Sequence, residues 1–221
     1  MSESKIIGAF FDFDGTLLST VSGSLLIKYL WNAGELSVPY VIKMGIANVL
    51  LKLHLYSRDR LHKLVMQVYK GQPVNKFENL AEDFYLTELK PHFAGNIVDK
   101  LIGHQQQGHE VVIVSASFRY YLTYVVKGLG VDHLLCSDLE VGKDGLLTGI
   151  TKGESVRGTQ KAVAAAQLAS QLGIDLAQSY AYGDHITDVS ILQLVGHPVA
   201  VEPEPKLRKV ADQNNWEILQ F

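Results

Sequence analysis

The sequence is poor in residue types that would point to particular classes of protein. Cys136 is the only cysteine among 221 residues, so no disulfide framework forms within the chain, and we interpret it as a small buried side chain. The chain has 20 Lys and Arg against 23 Asp and Glu, a net charge of -3. Without a basic excess, the composition does not indicate a nucleic acid partner. The hydrophobic content of 47% suffices for one core domain and an insert.

The sequence also lacks an uninterrupted apolar run of membrane-spanning length. Its most apolar stretch, Val38 to Leu55, is interrupted by Lys43, Lys52 and His54, well short of the roughly 20 apolar residues that a span needs. The apolar positions recur at helical spacing and predict an amphipathic helix, with membrane contact as the less favoured alternative. The N-terminus reaches acidic residues too early for a signal peptide, so we expect a cytoplasmic location.

Short apolar runs typical of β-strands alternate with helical patterns along most of the chain, which predicts a parallel sheet covered by helices. These runs are "IIGAFF", "EVVIVS", "SYAYG" and "PVAVE". The segment "WEILQ" near the C-terminus is a candidate edge strand. In "LEVGKDGLLTG", Asp144 and Gly145 supply the positive φ angles of a tight turn and predict a β-hairpin.

The alternation stops between about Ser19 and Lys90, where helical patterns follow one another without a convincing strand. We therefore predict an α/β fold with a Rossmann-like three-layer core built around a parallel sheet. A small helical cap domain is inserted after the first strand. The predicted core comprises residues 1–18 and 91–221, and the predicted cap comprises residues 19–90.

Polar side chains follow several of the apolar runs. Because ligands gather where parallel strands end, we expect these side chains to meet at one edge of the sheet. Three or more carboxylates cannot stay ionised together without a counter-charge, and Mg²⁺ is the hard cation that oxygen ligands favour. The side chains that follow the runs are those of Asp12, Asp14, Ser115, Asp184 and Asp188, and Lys161, early in the helix predicted after the hairpin, can join them.

This set of residues is suited to the transfer of a phosphoryl group. A carboxylate such as Asp12 can attack phosphorus in line and form an acyl phosphate. Asp14 can protonate the leaving alcohol and then deprotonate a water molecule. Gly15 lets the loop offer backbone N–H groups to an anion, while Ser115 and Lys161 add a hydroxyl donor and a positive charge.

Four ordered segments resemble the motifs of the haloacid dehalogenase-like hydrolases. They are "DFDGTL" from Asp12, "VVIVSAS" from Val111, Lys161 within "RGTQKA", and "YGDHITD" from Tyr182. The helical insert directly after the first motif is similar to the cap of the phosphoserine phosphatase-like branch, subfamily IB. The resemblance implies an Mg²⁺-dependent phosphomonoester phosphatase that forms an aspartyl phosphate on a small phosphorylated substrate.

The resemblance also implies roles for individual residues. Asp12 is the expected nucleophile and Asp14 the expected general acid and base, while Asp188 supports the site by orienting Lys161 or a metal-bound water. In the cap, Arg58 and Arg60 are candidates for selecting a charged leaving group. Phosphate contacts are expected from Gly15, Thr16, Ser115, Ala116 and Lys161, and Mg²⁺ contacts from Asp12, Asp14 and Asp184.

The substrate is less well defined by the sequence. Phosphoserine phosphatases carry a glutamate in the first turn of the cap, whereas this chain has Val21 near that position, which argues against phosphoserine itself. A small phosphorylated metabolite is the favoured substrate, and a lipid-type phosphate or transfer to an acceptor other than water are alternatives. A signalling receiver that accepts a phosphoryl group is an alternative from another class. A receiver needs a long-lived phosphoryl group, and the presence of Asp14 and of a cap argues against it. The sequence does not indicate an oligomeric state.

Overall fold

The structure is a computed structural model that describes residues 5–53 and 55–221, without the side chains of Lys52, Arg58 and Asp59. His54 lies outside the described residues. Eight strands form within that part of the chain. They are β1 (Gly8–Phe11), β2 (Glu110–Phe118), β3 (His133–Ser137), β4 (Leu139–Val141), β5 (Leu147–Thr151), β6 (Tyr180–Gly183), β7 (His197–Val201) and β8 (Glu217–Leu219).

Six of these strands form one parallel sheet in the order β3-β2-β1-β6-β7-β8. From β1, the chain adds β2 and then β3 on one side. It then returns to the other side of β1 and adds β6, β7 and β8 in turn. The direction of building therefore reverses between β1 and β6, the place where doubly wound sheets bind ligands. The predicted parallel-sheet core is confirmed, and "WEILQ" does contribute the edge strand β8.

The strands are buried on both faces, which explains their continuous apolar runs. Successive side chains point to opposite faces of the sheet. Phe11, Val111 and Ile113 accordingly pack in one core cluster, whereas Phe10 and Val112 pack in another.

Nine α-helices lie within the described residues. Helices α5 and α6 pack on the face of the sheet that carries Phe11, and α7, α8 and α9 pack on the opposite face. The helices are α1 (Ser22–Asn32), α2 (Val38–Lys52), α3 (Arg58–Met66), α4 (Val74–Phe84), α5 (Gly95–Gln106), α6 (Arg119–Leu129), α7 (Thr159–Leu172), α8 (Val189–Leu192) and α9 (Pro205–Asn214).

Helices α1 to α4 follow β1 directly and form the helical cap of the predicted fold class. Helix α4 continues into a π-helical turn, Tyr85–Leu89, before the chain returns to the core. The cap contacts the two-stranded hairpin of β4 and β5, since the Gly71 N–H donates to the Leu147 carbonyl at 2.8 Å and the Leu147 N–H donates to the Gln72 carbonyl at 2.8 Å. The domain limits of residues 19–90 stay our prediction.

Two sequence predictions about single segments are resolved by the fold. The stretch around "VPYVIK" does form a helix, α2, and among the described residues no helix is both long and apolar enough to cross a membrane. Cys136 lies on β3 with 7% of its surface exposed. Burial raises the pKa of its thiol to about 12, so its thiolate, the reactive form, is scarce at neutral pH.

Candidate active site

The loop that leaves β1 carries Asp12 into the centre of the sheet edge. The Asp12 N–H donates to the Tyr182 carbonyl of β6 at 2.9 Å, which continues the pairing of β1 with β6 beyond the strand end. The side chain of Asp12 is buried, and its Oδ1 accepts from the Phe13 N–H at 2.7 Å. The carboxylate therefore sits where the direction of sheet building reverses.

A buried lysine joins two of these carboxylates. Lys161, on the first turn of α7, places its Nζ 2.7 Å from Asp12 Oδ1 and 2.6 Å from Asp188 Oδ1. Burial alone lowers the pKa of Lys161, but the negative charges of Asp12 and Asp188 outweigh that effect and raise its pKa above the usual value. The ammonium group therefore stays charged and fixes both carboxylates.

Three carboxylates converge at this point. Asp12, Asp184 and Asp188 each offer an oxygen, and these oxygens lie within 4.8 Å of one another. Burial, followed by the charge of Asp188, raises the pKa of Asp184 to about 7. Burial also raises the pKa of Asp12 well above its usual value, despite the nearby Lys161. One ammonium group does not balance three negative charges, and an all-oxygen donor set of this kind fits Mg²⁺.

The Gly15 backbone is in direct contact with Asp184. Gly15 has a φ of +80°, and a Cβ at this position would lie 2.3 Å from Asp184 Oδ2. The buried Thr16 donates its hydroxyl to Asp184 Oδ1 at 3.4 Å. The loop after β1 therefore closes over the metal-ligand candidate that follows β6.

The loop after β6 is held in place by its own backbone and by α9. Asp188 is completely buried, and its Oδ2 accepts from the His185 N–H at 3.0 Å while its Oδ1 faces Lys161. The Glu204 N–H, at the start of α9, donates to the Asp184 carbonyl at 2.9 Å. These bonds support the interpretation of Asp188 as a residue that orients Lys161.

The carboxylate of Asp14 is bound by two serines that sequence reasoning missed as partners, and a tyrosine hydroxyl extends this network. The Ser22 N–H donates to Asp14 Oδ1 at 2.5 Å, and the Ser117 hydroxyl donates to Asp14 Oδ2 at 2.5 Å. Ser22 Oγ also lies 3.1 Å from Ser117 Oγ and 2.9 Å from the hydroxyl of Tyr121. Ser22 begins the first cap helix, so this network links the cap to the core.

The end of β2 differs slightly from the sequence expectation. The strand continues through Ala116 to Phe118 instead of ending at Ser115. Ser115 is buried, and its Oγ accepts from the Ser117 N–H at 3.0 Å. Its hydroxyl therefore fixes the backbone of Ser117 at the strand end and does not cap α6, whose N-terminus has no side-chain cap.

Arg60, one of the two cap arginines, is not part of this cluster. Arg60 is exposed on α3, where its N–H donates to Ser57 Oγ, and it forms no hydrogen bond or ion pair with the buried carboxylates. The side chain of Arg58 lies outside the part of the chain that is described. A role for either residue in substrate selection stays a prediction.

The chain matches a known family of hydrolases, in agreement with this arrangement of carboxylates and lysine. Residues 9–193 match the model of the haloacid dehalogenase-like hydrolases. The chain belongs to this family. The prediction made from the four ordered motifs is therefore confirmed.

Relatives across this family include named phosphatases. The chain is 29% identical over 216 residues to a probable phosphatase from Mycobacterium tuberculosis strain H37Rv, covering 96% of this chain and 75% of that protein. It is 27% identical over 231 residues to a histidinol-phosphatase from Neisseria meningitidis serogroup C, covering 96% and 98%. The fold is similar to a substrate-bound phosphoserine phosphatase structure, with a TM-score of 0.70, 22% identity and coverage of 98% and 94%. These similarities confirm the predicted class, a phosphoric monoester hydrolase of the phosphoserine phosphatase-like kind.

Proposed function

We propose that this protein hydrolyses a small phosphorylated metabolite by way of an aspartyl phosphate at Asp12, with Mg²⁺ as cofactor. The observation that carries the proposal is the buried arrangement of Asp12 beside Asp184, with Lys161 bonded to both Asp12 and Asp188. Such a group of charges is costly to bury, and groups of this kind cluster at functional sites.

In the first step, a carboxylate oxygen of Asp12 attacks phosphorus and the bond between phosphorus and the leaving alcohol oxygen breaks. Asp14 gives its proton to that oxygen. In the second step, Asp14 takes a proton from water, whose oxygen attacks phosphorus, and the acyl phosphate bond breaks to release phosphate and restore Asp12. Lys161 contributes a fixed positive charge beside the phosphoryl group throughout.

The network around Asp14 suits a residue that must exist in both protonation states. Oδ1 accepts from the Ser22 N–H, which can only donate, so this contact favours a proton on Oδ2. Oδ2 faces the Ser117 hydroxyl, and a hydroxyl accepts as well as it donates. When Asp14 is protonated, the hydroxyls of Ser117 and Ser22 can reverse direction without moving their oxygen atoms.

Mg²⁺ fits the carboxylate cluster, where Asp12 and Asp184 would hold it together with the Asp14 carbonyl. When bound, it would neutralise negative charge on the phosphoryl oxygens. Gly15, Thr16, Ser115 and Ala116 are the proposed phosphate contacts. We place this activity in the cytoplasm, as the sequence predicts.

The leaving group is proposed from the cap. Val21, which precedes α1 and is largely exposed, offers no carboxylate to a substrate amino group. This supports a substrate other than phosphoserine. The similarity to a histidinol-phosphatase along nearly its whole length makes phosphorylated amino alcohols useful members of a substrate panel.

The test is the release of inorganic phosphate from a panel of polar and apolar phosphomonoesters, with Mg²⁺ or with EDTA. We expect Mg²⁺-dependent release by the wild-type protein and none above background by Asp12→Asn. Asp14→Asn should accumulate an acid-stable, hydroxylamine-sensitive phosphoryl group. Hydrolysis by Asp12→Asn at the wild-type rate would disprove the covalent mechanism, and stable labelling of Asp12 without phosphate release would favour a receiver or a phosphotransferase.

A further inference from the structure

Helix α2 exposes a continuous apolar face. Six of the large apolar side chains that are exposed in the described part of the chain lie within residues 38–55. Five of them follow one another along α2 and the residue after it, and we call these five the α2 apolar face. They are Val38 (58% exposed), Ile42 (57%), Ile46 (56%), Val49 (57%) and Leu53 (59%).

The spacing of these residues places them on one side of the helix, because positions three or four apart are neighbours on a helix surface. The opposite side already has a partner: Met44 and Ala47 are buried against Leu64 of α3. The Tyr40 hydroxyl fixes this packing by donating to the Leu64 carbonyl at 3.0 Å. The α2 apolar face is therefore not the side that builds the cap, and an unpartnered face of this kind marks an interaction surface.

The charge around this face is unlike that of the rest of the molecule. Residues 36–69 contain five Lys or Arg and a single acidic residue, Asp59, although the whole chain carries a net charge of -3. Lys43 is exposed next to Ile42, and Arg60 and Lys63 are exposed on α3. Helix α2 itself contains no acidic residue. The partner should therefore combine apolar material with negative charge.

We propose that the α2 apolar face binds the surface of an anionic lipid bilayer. A helix of 15 residues is about 22 Å long at 1.5 Å per residue, shorter than the roughly 30 Å hydrocarbon core. The helix would therefore lie in the interface, with its apolar side chains in the lipid and the exposed Lys43 at the headgroups. A second copy of this chain is a poorer fit, since a two-fold contact would place one cationic surface against another.

The proposal is tested by sedimentation of the full-length protein with vesicles. One set contains phosphatidylglycerol mixed with phosphatidylcholine, and the other contains phosphatidylcholine alone. The test variant is the double substitution Ile42→Gln with Ile46→Gln, and a second double variant, Val38→Gln with Val49→Gln, repeats the test elsewhere on the face. The matched control is Ile150→Gln on β5, because Ile150 is also 57% exposed.

We expect the wild-type protein and the Ile150→Gln control to bind the anionic vesicles, and added salt to weaken this binding. The affinity of each double variant for the anionic vesicles should be lower by about tenfold or more. Its melting temperature should remain near that of the wild type, because the changed residues are exposed. Vesicles of phosphatidylcholine alone should bind the wild-type protein much less.

Three results would overturn the proposal: no sedimentation of the wild-type protein with anionic vesicles, equal loss of binding in the control, or binding that ignores lipid charge. A dimer in analytical ultracentrifugation that both double variants abolish, without vesicle binding, would assign the face to a second copy of this chain. Hydrolysis of a water-soluble phosphomonoester is measured in parallel, so failure of the membrane proposal is distinguishable from failure of the proposed activity.

Discussion

At the scale of single residues, Gly15 occupies a position that few other residues fit. Its φ of +80° is unfavourable for residues with a Cβ, and the space that a Cβ would need is occupied by Asp184. The close approach brings the β1 loop and a metal-ligand candidate together. A small change here should therefore affect catalysis more than stability.

We predict that Gly15→Ala lowers phosphate release by at least about 100-fold, because displacement of Asp184 misplaces the reacting groups. The matched control is Gly34→Ala, at a φ of +73° with no atom within 4 Å of the added Cβ. Both variants carry similar backbone strain, but only the first contacts the site. Equal activity in the two variants would contradict this account of Gly15.

The Ser117 hydroxyl should affect the rate of hydrolysis most for substrates whose leaving group must be protonated. Ser117→Ala removes the donor to Asp14 Oδ2, and we predict a rate loss of about tenfold to a hundredfold for an alkyl phosphate. For p-nitrophenyl phosphate, whose leaving group needs little protonation, the loss should be small. Tyr120→Phe is the control, since the Tyr120 hydroxyl bonds to Tyr69 and not to this network. An equal loss for both substrates would exclude a role in proton transfer.

At the scale of elements, two glycines that are not at positive φ should respond in opposite ways to substitution by alanine. Gly196 precedes β7, and a Cβ there would lie 1.8 Å from the Ala177 carbonyl oxygen, which is backbone and cannot rotate away. Gly45 lies in the middle of α2 with no atom within 4 Å of an added Cβ. The same substitution should therefore change the stability in opposite directions.

We predict that Gly196→Ala lowers the free energy of unfolding by more than about 2 kcal/mol, because the strand entry must shift. Gly45→Ala should raise it by up to about 1 kcal/mol through helix propensity. Urea denaturation of both variants beside the wild type measures the difference. A stabilised Gly196→Ala would show that the connection before β7 is looser than the structure indicates.

Helix α5 meets the sheet through a histidine pair. His104 Nδ1 lies 2.8 Å from His109 Nδ1, and His104 Nε2 lies 2.8 Å from the Tyr182 hydroxyl. Two facing ring nitrogens cannot both carry a proton and keep this bond. Burial, together with the charges of His109 and Lys100, lowers the pKa of His104 to about 4.

The unfolded chain therefore binds more protons than the folded one between the pKa of about 4 and the ordinary value of 6.5. The contribution of His104 to stability is present above the ordinary value and is lost as the pH falls towards 4. Between about pH 7 and about pH 5 we predict a loss of about 2 kcal/mol that is absent in His104→Gln. Urea denaturation measures the free energy of unfolding of the wild type and of His104→Gln at each pH. If it falls equally with pH in both proteins, His104 is not the source of the loss.

The sequence predicted the central strands of the sheet better than the edge strand β3 and better than the hydrogen-bond partners of Asp14. Asp12 and Asp184 follow continuous apolar runs that buried parallel strands produce, so their position was readable. Strand β3 was missed, because "HLLCS" is buried only at its last two residues and shows no alternation. Ser22 and Ser117 were missed as partners of Asp14, since Ser22 begins α1 and Ser117 lies on β2, and only tertiary packing brings them together.

At the scale of the whole molecule, the buried carboxylates set catalysis against stability. Burial, and after it the repulsion from Asp188, raise the pKa of Asp184 to about 7. Folding brings these charges together, and a divalent cation would relieve the repulsion in the folded state only. Metal binding should therefore be visible as a gain in stability.

We predict that Mg²⁺ raises the melting temperature of the wild-type protein and that EDTA reverses the effect. At a hundredfold excess over the dissociation constant the gain is about 2.7 kcal/mol, or roughly 5–10 °C for a chain of this size. Asp184→Asn should melt above the metal-free wild type and respond little to Mg²⁺. A full response in this variant would place the metal elsewhere.

The strand order has a consequence for the time course of folding. Thr16 and Asp184 are 168 residues apart in the sequence, and β1 separates β2 from β6 in the sheet. Closing so long a loop is slow, whereas helices form from local contacts. A refolding chain should regain most of its helical circular dichroism before β6 docks against β1. Catalytic activity should therefore be among the last properties to return.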